Sequence, residues 1–408
     1  MLRLLSFFRR LTLVPQGVTI VTAAFLPIFA IVSMFPAVPA IIDHFAADPD
    51  ARWKVPMMVS APGLTIALIA PFAGWFVDRI GRRPLLIGAT FLYGIVGTAP
   101  FFLDSLSAVF ISRLLLGVAE AAILTVVNTL IGDYWDDEGR RDWLMLQGVA
   151  GPFLASGVIA LAGPATAIRW NGIFLVYLIA FPIFFAMLAW LFEPKRQGHT
   201  VAEIDQTDRA ATPFPWKAVG LLGLVTLCAS GLYYVFIING GLAFREVGVT
   251  DPSALSAMTA LPSLFVILGA LIFRALGGKS NAVQLSAFFL LLGLGLLGIG
   301  IAATPKWMIA ALIIQQTGAG MAVPSLIAWA QTKLPFEHRG RGMGAWTACF
   351  FFGQFSSPWL VHKLNDATGT MQGAFMAAGL IGLVLALLVF LFLDRPSRGA
   401  ATKLEVAR

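Results

Sequence analysis

Two ionisable side chains stand inside an otherwise apolar run, FISRLLLGVAEAAILTVVNTL, which spans residues 110–130. Arg113, Gly117 and Glu120 fall at i, i+4 and i+7 and so share one face of a helix. A charged group inside a bilayer is costly, and one that is kept marks a functional site. Burial disfavours the ionised form of a carboxyl group, and a nearby cation favours it. A glutamate under both influences is equipped to take up and release a proton, with Glu120 as carrier and Arg113 tuning its affinity. Seven residues put the pair about 10 Å apart along a helix axis, so contact requires bent side chains or a bridging water. The structural alternative is a buried polar pair that only positions its helix.

The elements that carry this pair are set by composition. The chain has 408 residues, 58% hydrophobic and 12% charged. Soluble chains carry roughly twice that share of charge, so most of this surface is expected to face a bilayer. A net charge of +7 raises the question of nucleic acid. The basic residues lie scattered in short loops between apolar runs and form no continuous face, which excludes that partner. Cys228 and Cys349 lie within apolar stretches and suit neither a disulfide framework nor a zinc site. His44, His199, His338 and His362 lack ligand spacing, and no phosphate-binding G-x-x-x-x-G-K loop or nucleophile motif is present. The reading is therefore of a chain that is not an enzyme, holds no metal or cofactor, and runs on an ion gradient.

Apolar runs of spanning length predict an all-α integral membrane protein with twelve transmembrane helices, near 18–42, 56–77, 84–103, 106–132, 143–164, 170–192, 217–242, 253–275, 281–303, 307–332, 343–362 and 370–393. Pro27, Pro36 and Pro39 predict a kinked first span, and Leu2 to Arg10 suits the membrane surface. A polar stretch near the midpoint divides a six-helix bundle, 1–192, from a second, 217–408, with 193–216 as a cytoplasmic linker. With both termini cytoplasmic, about 21 of the 28 Lys and Arg fall on the cytoplasmic side, as the positive-inside rule requires. A multi-pass protein of the inner (cytoplasmic) membrane follows. Two related halves are also suggested by a weak internal echo, GWFVDRIGRRP against GALIFRALGGKSN about 195 positions later.

The loop after the second span reads Gly74-Trp-Phe-Val-Asp78-Arg79-Ile-Gly81-Arg82-Arg83. It resembles, at every fixed position, the G-x-x-x-D-R-x-G-R-R signature of the major facilitator superfamily. Gly74 would allow two helices to approach closely and Gly81 would support a tight turn. The resemblance implies that Asp78 meets the positive N-terminal end of span eleven, near Gly340 to Gly344, in a latch that forms in one state and breaks in the other. In the second copy Phe273 stands where an Asp would be, so the latch is expected to be asymmetric. Arg113 and Gly117 are similar to the family's R-x-x-x-G motif. Gln147 to Gly157, with Gly151 and Pro152 kept, partly resembles the G-x-x-x-G-P-x-x-G-G motif of its drug and metabolite antiporters, whose small residues let spans five and eight pack closely. IRWNGIF resembles the start of span six in such exporters.

The resemblance further implies that spans one, four, seven and ten line a central cavity. Here they offer Phe29, Met34 and Phe35, then Glu120 and Asn128, then Tyr233, Tyr234 and Asn239, then Gln315 and Gln316, with Gln354 from span eleven. Aromatic and Met side chains with scattered amides suit a lipophilic or amphiphilic organic solute. The leading expectation is a monomeric proton-coupled antiporter that exports such a compound by alternating access. A proton-coupled importer and a transport-dead sensor or scaffold are the competing readings.

Overall fold

The computed structural model describes residues 14–194 and 213–393. The surface segment expected at Leu2 to Arg10 and most of the linker lie outside the described residues. Twelve helical elements, α1 to α12, occur in chain order among them. α1 is broken into Pro15–Ala24, Leu26–Val32 and Val38–His44. Each piece resumes with a proline among its first two residues, where a missing N–H costs nothing; Pro36 falls in the intervening turn. α2 runs over Ala51–Ile69, tightens at Ala70–Phe72 and continues as Ala73–Ile80. It starts five residues before the expected boundary, so Pro56 lies inside the helix. α3 is Arg82–Thr98, α4 Leu106–Tyr134 and α5 Asp137–Ile168. α6 joins Gly172–Ile179 to Ala180–Trp190.

The second half repeats the scheme. α7 is Trp216–Glu246, and α8 consists of Pro252–Ser263 and Val266–Ala275, interrupted just after Pro262. α9 is Asn281–Gly300, α10 Pro305–Lys333, α11 Arg339–Thr368 and α12 Met371–Phe392. Eleven of these elements are long and apolar enough to cross a membrane. α11 has the length, at 30 residues, but Gln354, Ser356, Ser357 and Pro358 make its middle less apolar than the other spans. It packs along α2 and α7, so its polar side chains meet protein and cavity as well as lipid.

Within the first half α4 packs on α2 and α3, and α3 on α6. Within the second half α10 packs on α8 and α9, and α9 on α12. The pattern is the same six helices later, which makes the two bundles pseudo-symmetric. Glycines set the closest approaches. A Cβ on Gly117 of α4 would overlap the Pro62 carbonyl of α2, and one on Gly269 or Gly320 would overlap backbone across the α8–α10 contact. In a bilayer, helices associate through such close backbone packing. Gly320→Ala is therefore expected to destabilise the protein by about 1–3 kcal/mol, read as a lowered thermal midpoint in detergent. An unchanged midpoint would mean that α8 and α10 can separate at no cost.

The halves meet along three seams, α1 with α7, α2 with α11 and α5 with α8. At the α2–α11 seam the Ser60 hydroxyl donates to the Phe355 carbonyl at 3.3 Å, and a Cβ on Gly63 would stand 2.9 Å from the Phe351 carbonyl.

Candidate functional site

Helices of both halves, the broken α1 among them, enclose a central cavity of about 620 Å³. Arg113 and Glu120 of α4 both border it, at 1% and 3% exposure. They do not pair. The Arg113 guanidinium donates to the Tyr177 hydroxyl at 2.8 Å and to the carbonyls of Val96 and Gly97 at 3.2 and 2.9 Å. Its Nε reaches the Ser112 hydroxyl at 3.4 Å, and its carbon lies 5.0 and 4.9 Å from the ring centres of Phe174 and Tyr177. The Val96 carbonyl is available because the helical donor four residues on would be Pro100, which has no N–H. Arg113 thus closes the end of α3. Glu120 has the opposite fate: its Oε1 is buried without a hydrogen-bond partner.

Of the side chains expected on the cavity wall, Met34, Phe35, Asn128, Tyr233, Tyr234, Gln316 and Gln354 line it. Three do not. Phe29 is buried beside Phe25, the ring centres 6.2 Å apart. Gln315 points to α9, where Gly295 makes room for it, because neighbours on a helix are turned about 100° apart and Gln316 takes the cavity side. Asn239 lines a second cavity of about 310 Å³, bordered also by Asp43 and Arg245.

The antiporter-like segment, Gln147 to Gly157, meets α1 at one end and α8 at the other. Gly151 and Pro152 line the cavity, and a Cβ on Gly151 would meet the Phe25 ring of α1 at 3.2 Å. Within the segment Ser156 donates to the Ala260 carbonyl of α8 at 2.6 Å, and the tight α5–α8 contact continues past it, where Gly163 abuts Pro252 and Ser256.

In the signature loop Gly81 adopts φ 95°, a left-handed turn that suits glycine. Gly74 faces open space, because α2 tightens at Ala70–Phe72 and it is Pro71 that faces α11, where a Cβ on Gly344 would lie 3.8 Å from its Cα. The expected helix contact at Gly74 is therefore absent. The side chain of Asp78 lies outside the described ones. Arg79 covers the Trp75 ring at 5.3 Å, Arg82 pairs with Asp133 at 3.0 Å, and Arg83 donates to the carbonyls of Leu191 and Leu188. Glu193, which the sequence did not single out, accepts from the backbone N–H groups of Arg82 and Arg83 at 2.8 and 2.7 Å. It caps the start of α3, where a carboxylate also meets the positive end of the helix.

The central cavity extends toward this loop as far as Asn128 and Leu144, both exposed. On the opposite face the halves are joined. Asp43 of α1 and Arg245 of α7 form a two-pronged ion pair at 2.8 and 3.0 Å, and a Cβ on Gly241 would lie 3.0 Å from the Phe35 carbonyl. The pair is partly exposed, so its contribution is about 0–1 kcal/mol. Because it spans the two halves, even that matters to their equilibrium. Asp43→Asn is expected to raise the population open on that face up to about fivefold, seen as faster labelling of a cysteine placed at Tyr233. Exchanging the two charges should restore the original rate, and equal labelling in all three proteins would remove the pair from the gate.

A family model described as Major Facilitator Superfamily matches residues 20–279 and 222–408. The chain belongs to this superfamily of transporters. Over 391 residues it is 23% identical to the class E tetracycline resistance protein of Escherichia coli, covering 92% of this chain and 94% of that one. It is 26% identical over 371 residues to the 3-(3-hydroxy-phenyl)propionate transporter of Escherichia coli strain K12, covering 89% of each. Among solved structures, that of a D-xylose-proton symporter superposes with a TM-score of 0.74 at 14% identity, covering 92% of this chain and 96% of that one. That likeness concerns the fold. The protein is a multi-pass membrane transporter with the fold of its superfamily.

Proposed function

We propose that this transporter is a proton-coupled antiporter exporting a lipophilic or amphiphilic organic compound by alternating access, with Glu120 as the proton carrier. The observation that carries the reading is the unpartnered Glu120 carboxyl oxygen beside a largely apolar cavity. A buried charge without a partner is unstable, so Glu120 holds a proton in the empty cavity and gives it up when a solute or water compensates the charge. The full-length likeness to a protein named for tetracycline resistance supports export. The charge distribution of the loops supports both termini on the cytoplasmic side of an inner membrane, so the cavity opens inward. The signature loop, Gly74 to Arg83, works as the inner gate. It is anchored to α4 through Asp133 and to the end of α6 through Glu193. The chain acts as a monomer, without a cofactor.

The test uses purified protein in liposomes holding a pH-sensitive dye, with amphiphilic drugs, sugars and small acids added across a pH gradient. Proton movement opposite to one solute supports antiport and names its class. Movement in the same direction would replace this reading with proton-coupled uptake.

A further inference from the structure

We infer that the cargo of the central cavity is an organic cation, a protonated amine on an apolar body. The inference rests on the reading of Glu120 as proton carrier and adds the sign of the charge that replaces the proton.

Arg113 and Glu120 are the two residues on the cavity wall that carry formal charge, and their surroundings are opposite. Arg113 is encircled by oxygen acceptors and two aromatic rings. An anionic solute would have to strip those acceptors away to reach its N–H groups. Glu120, at 3% exposure, has a carboxyl oxygen with no donor at all. A solute bringing N–H donors and positive charge supplies what that oxygen lacks.

The rest of the wall suits the same solute. Tyr233 and Tyr234 stand edge to face with ring centres 4.8 Å apart, and both line the cavity with Phe351. Aromatic faces attract ammonium groups, most strongly where water is excluded. Gln354 is 5% exposed and lines the cavity, its stem against Gly63. Its amide oxygen can accept a second N–H.

The exchange balances simply. The ammonium takes the place of the proton on the Glu120 carboxyl group, the O–H bond breaks, and the proton leaves to water in the open cavity. One monovalent cation replaces one proton, so no net charge crosses the membrane in a cycle.

The test is binding of three probes that share one body, biphenylmethylamine, biphenylmethanol and biphenylcarboxylate, to the purified full-length protein in detergent at neutral pH by calorimetry. The amine is expected to bind at least about tenfold more tightly than the other two. Glu120→Gln should erase that preference while still binding the alcohol, which shows that the cavity persists, and Glu120→Asp should retain it. The inference is overturned if the alcohol or carboxylate binds wild type as tightly as the amine, if the amine does not bind, or if the preference survives in Glu120→Gln. Failure of the antiport reading looks different. In liposomes, preferred binding of the amine without proton counterflow would sink antiport and leave the charge preference standing.

Discussion

Glutamine at position 120 is expected to abolish exchange driven by a pH gradient while leaving the fold intact. The substitution keeps size and shape and removes the titrating proton. Loss of an essential proton-transfer group costs on the order of a hundredfold in rate, and proton-coupled flux in liposomes should fall by at least that much. Stability should not fall with it, because the buried Oε1 has no partner to lose and a neutral amide carries no charge to desolvate. Thermal unfolding in detergent checks the second half of the expectation. Flux that keeps its dependence on the pH gradient in this variant would remove Glu120 from the coupling mechanism.

Arg113→Met is expected to act through stability. The guanidinium satisfies two carbonyls at the end of α3 and holds the Tyr177 hydroxyl from α6, so it ties three helices together. Methionine fills similar space and leaves those acceptors buried without donors, at about 1–3 kcal/mol for each. The Tyr177 hydroxyl also lies 3.3 Å from the Ala30 carbonyl, so the loss should fall on Val96 and Gly97 and total about 3 kcal/mol. Arg113→Lys should recover part of it, since an ammonium keeps the charge without the planar fork. Denaturant unfolding in mixed micelles gives the comparison. A methionine variant as stable as wild type would show that Arg113 is held for coupling alone.

These two variants separate residues that sequence spacing presents as a pair. On a helical net Arg113 and Glu120 share a face, and both do border the cavity. Their division of labour depends on α3 and α6, which bring carbonyls and a tyrosine to one of them and nothing to the other. Tyr177 sits in the apolar run IFLVYLIA, where only its hydroxyl hints at a polar partner. The proline that frees the Val96 carbonyl is visible at position 100, but the arginine that answers it is thirteen residues further on.

The sequence by itself determined the number of helices, their approximate bounds, the kinked first span, the glycine turn at Gly81 and the placement of two ionisable residues at the cavity. Each follows from short-range physics: apolar length against bilayer thickness, proline's missing donor, glycine's tolerance of positive φ, and the cost of charge in lipid. The tertiary structure decided which way side chains point and which halves touch. It turned Gln315 away from the cavity and Gln316 toward it, left Gly74 without a neighbour, moved Asn239 to the second cavity, and joined Asp43 to Arg245 across 202 positions of chain. In a largely apolar chain most faces of a helix read alike, so orientation is fixed by the fit of small residues between helices, and that fit exists only once both bundles are assembled.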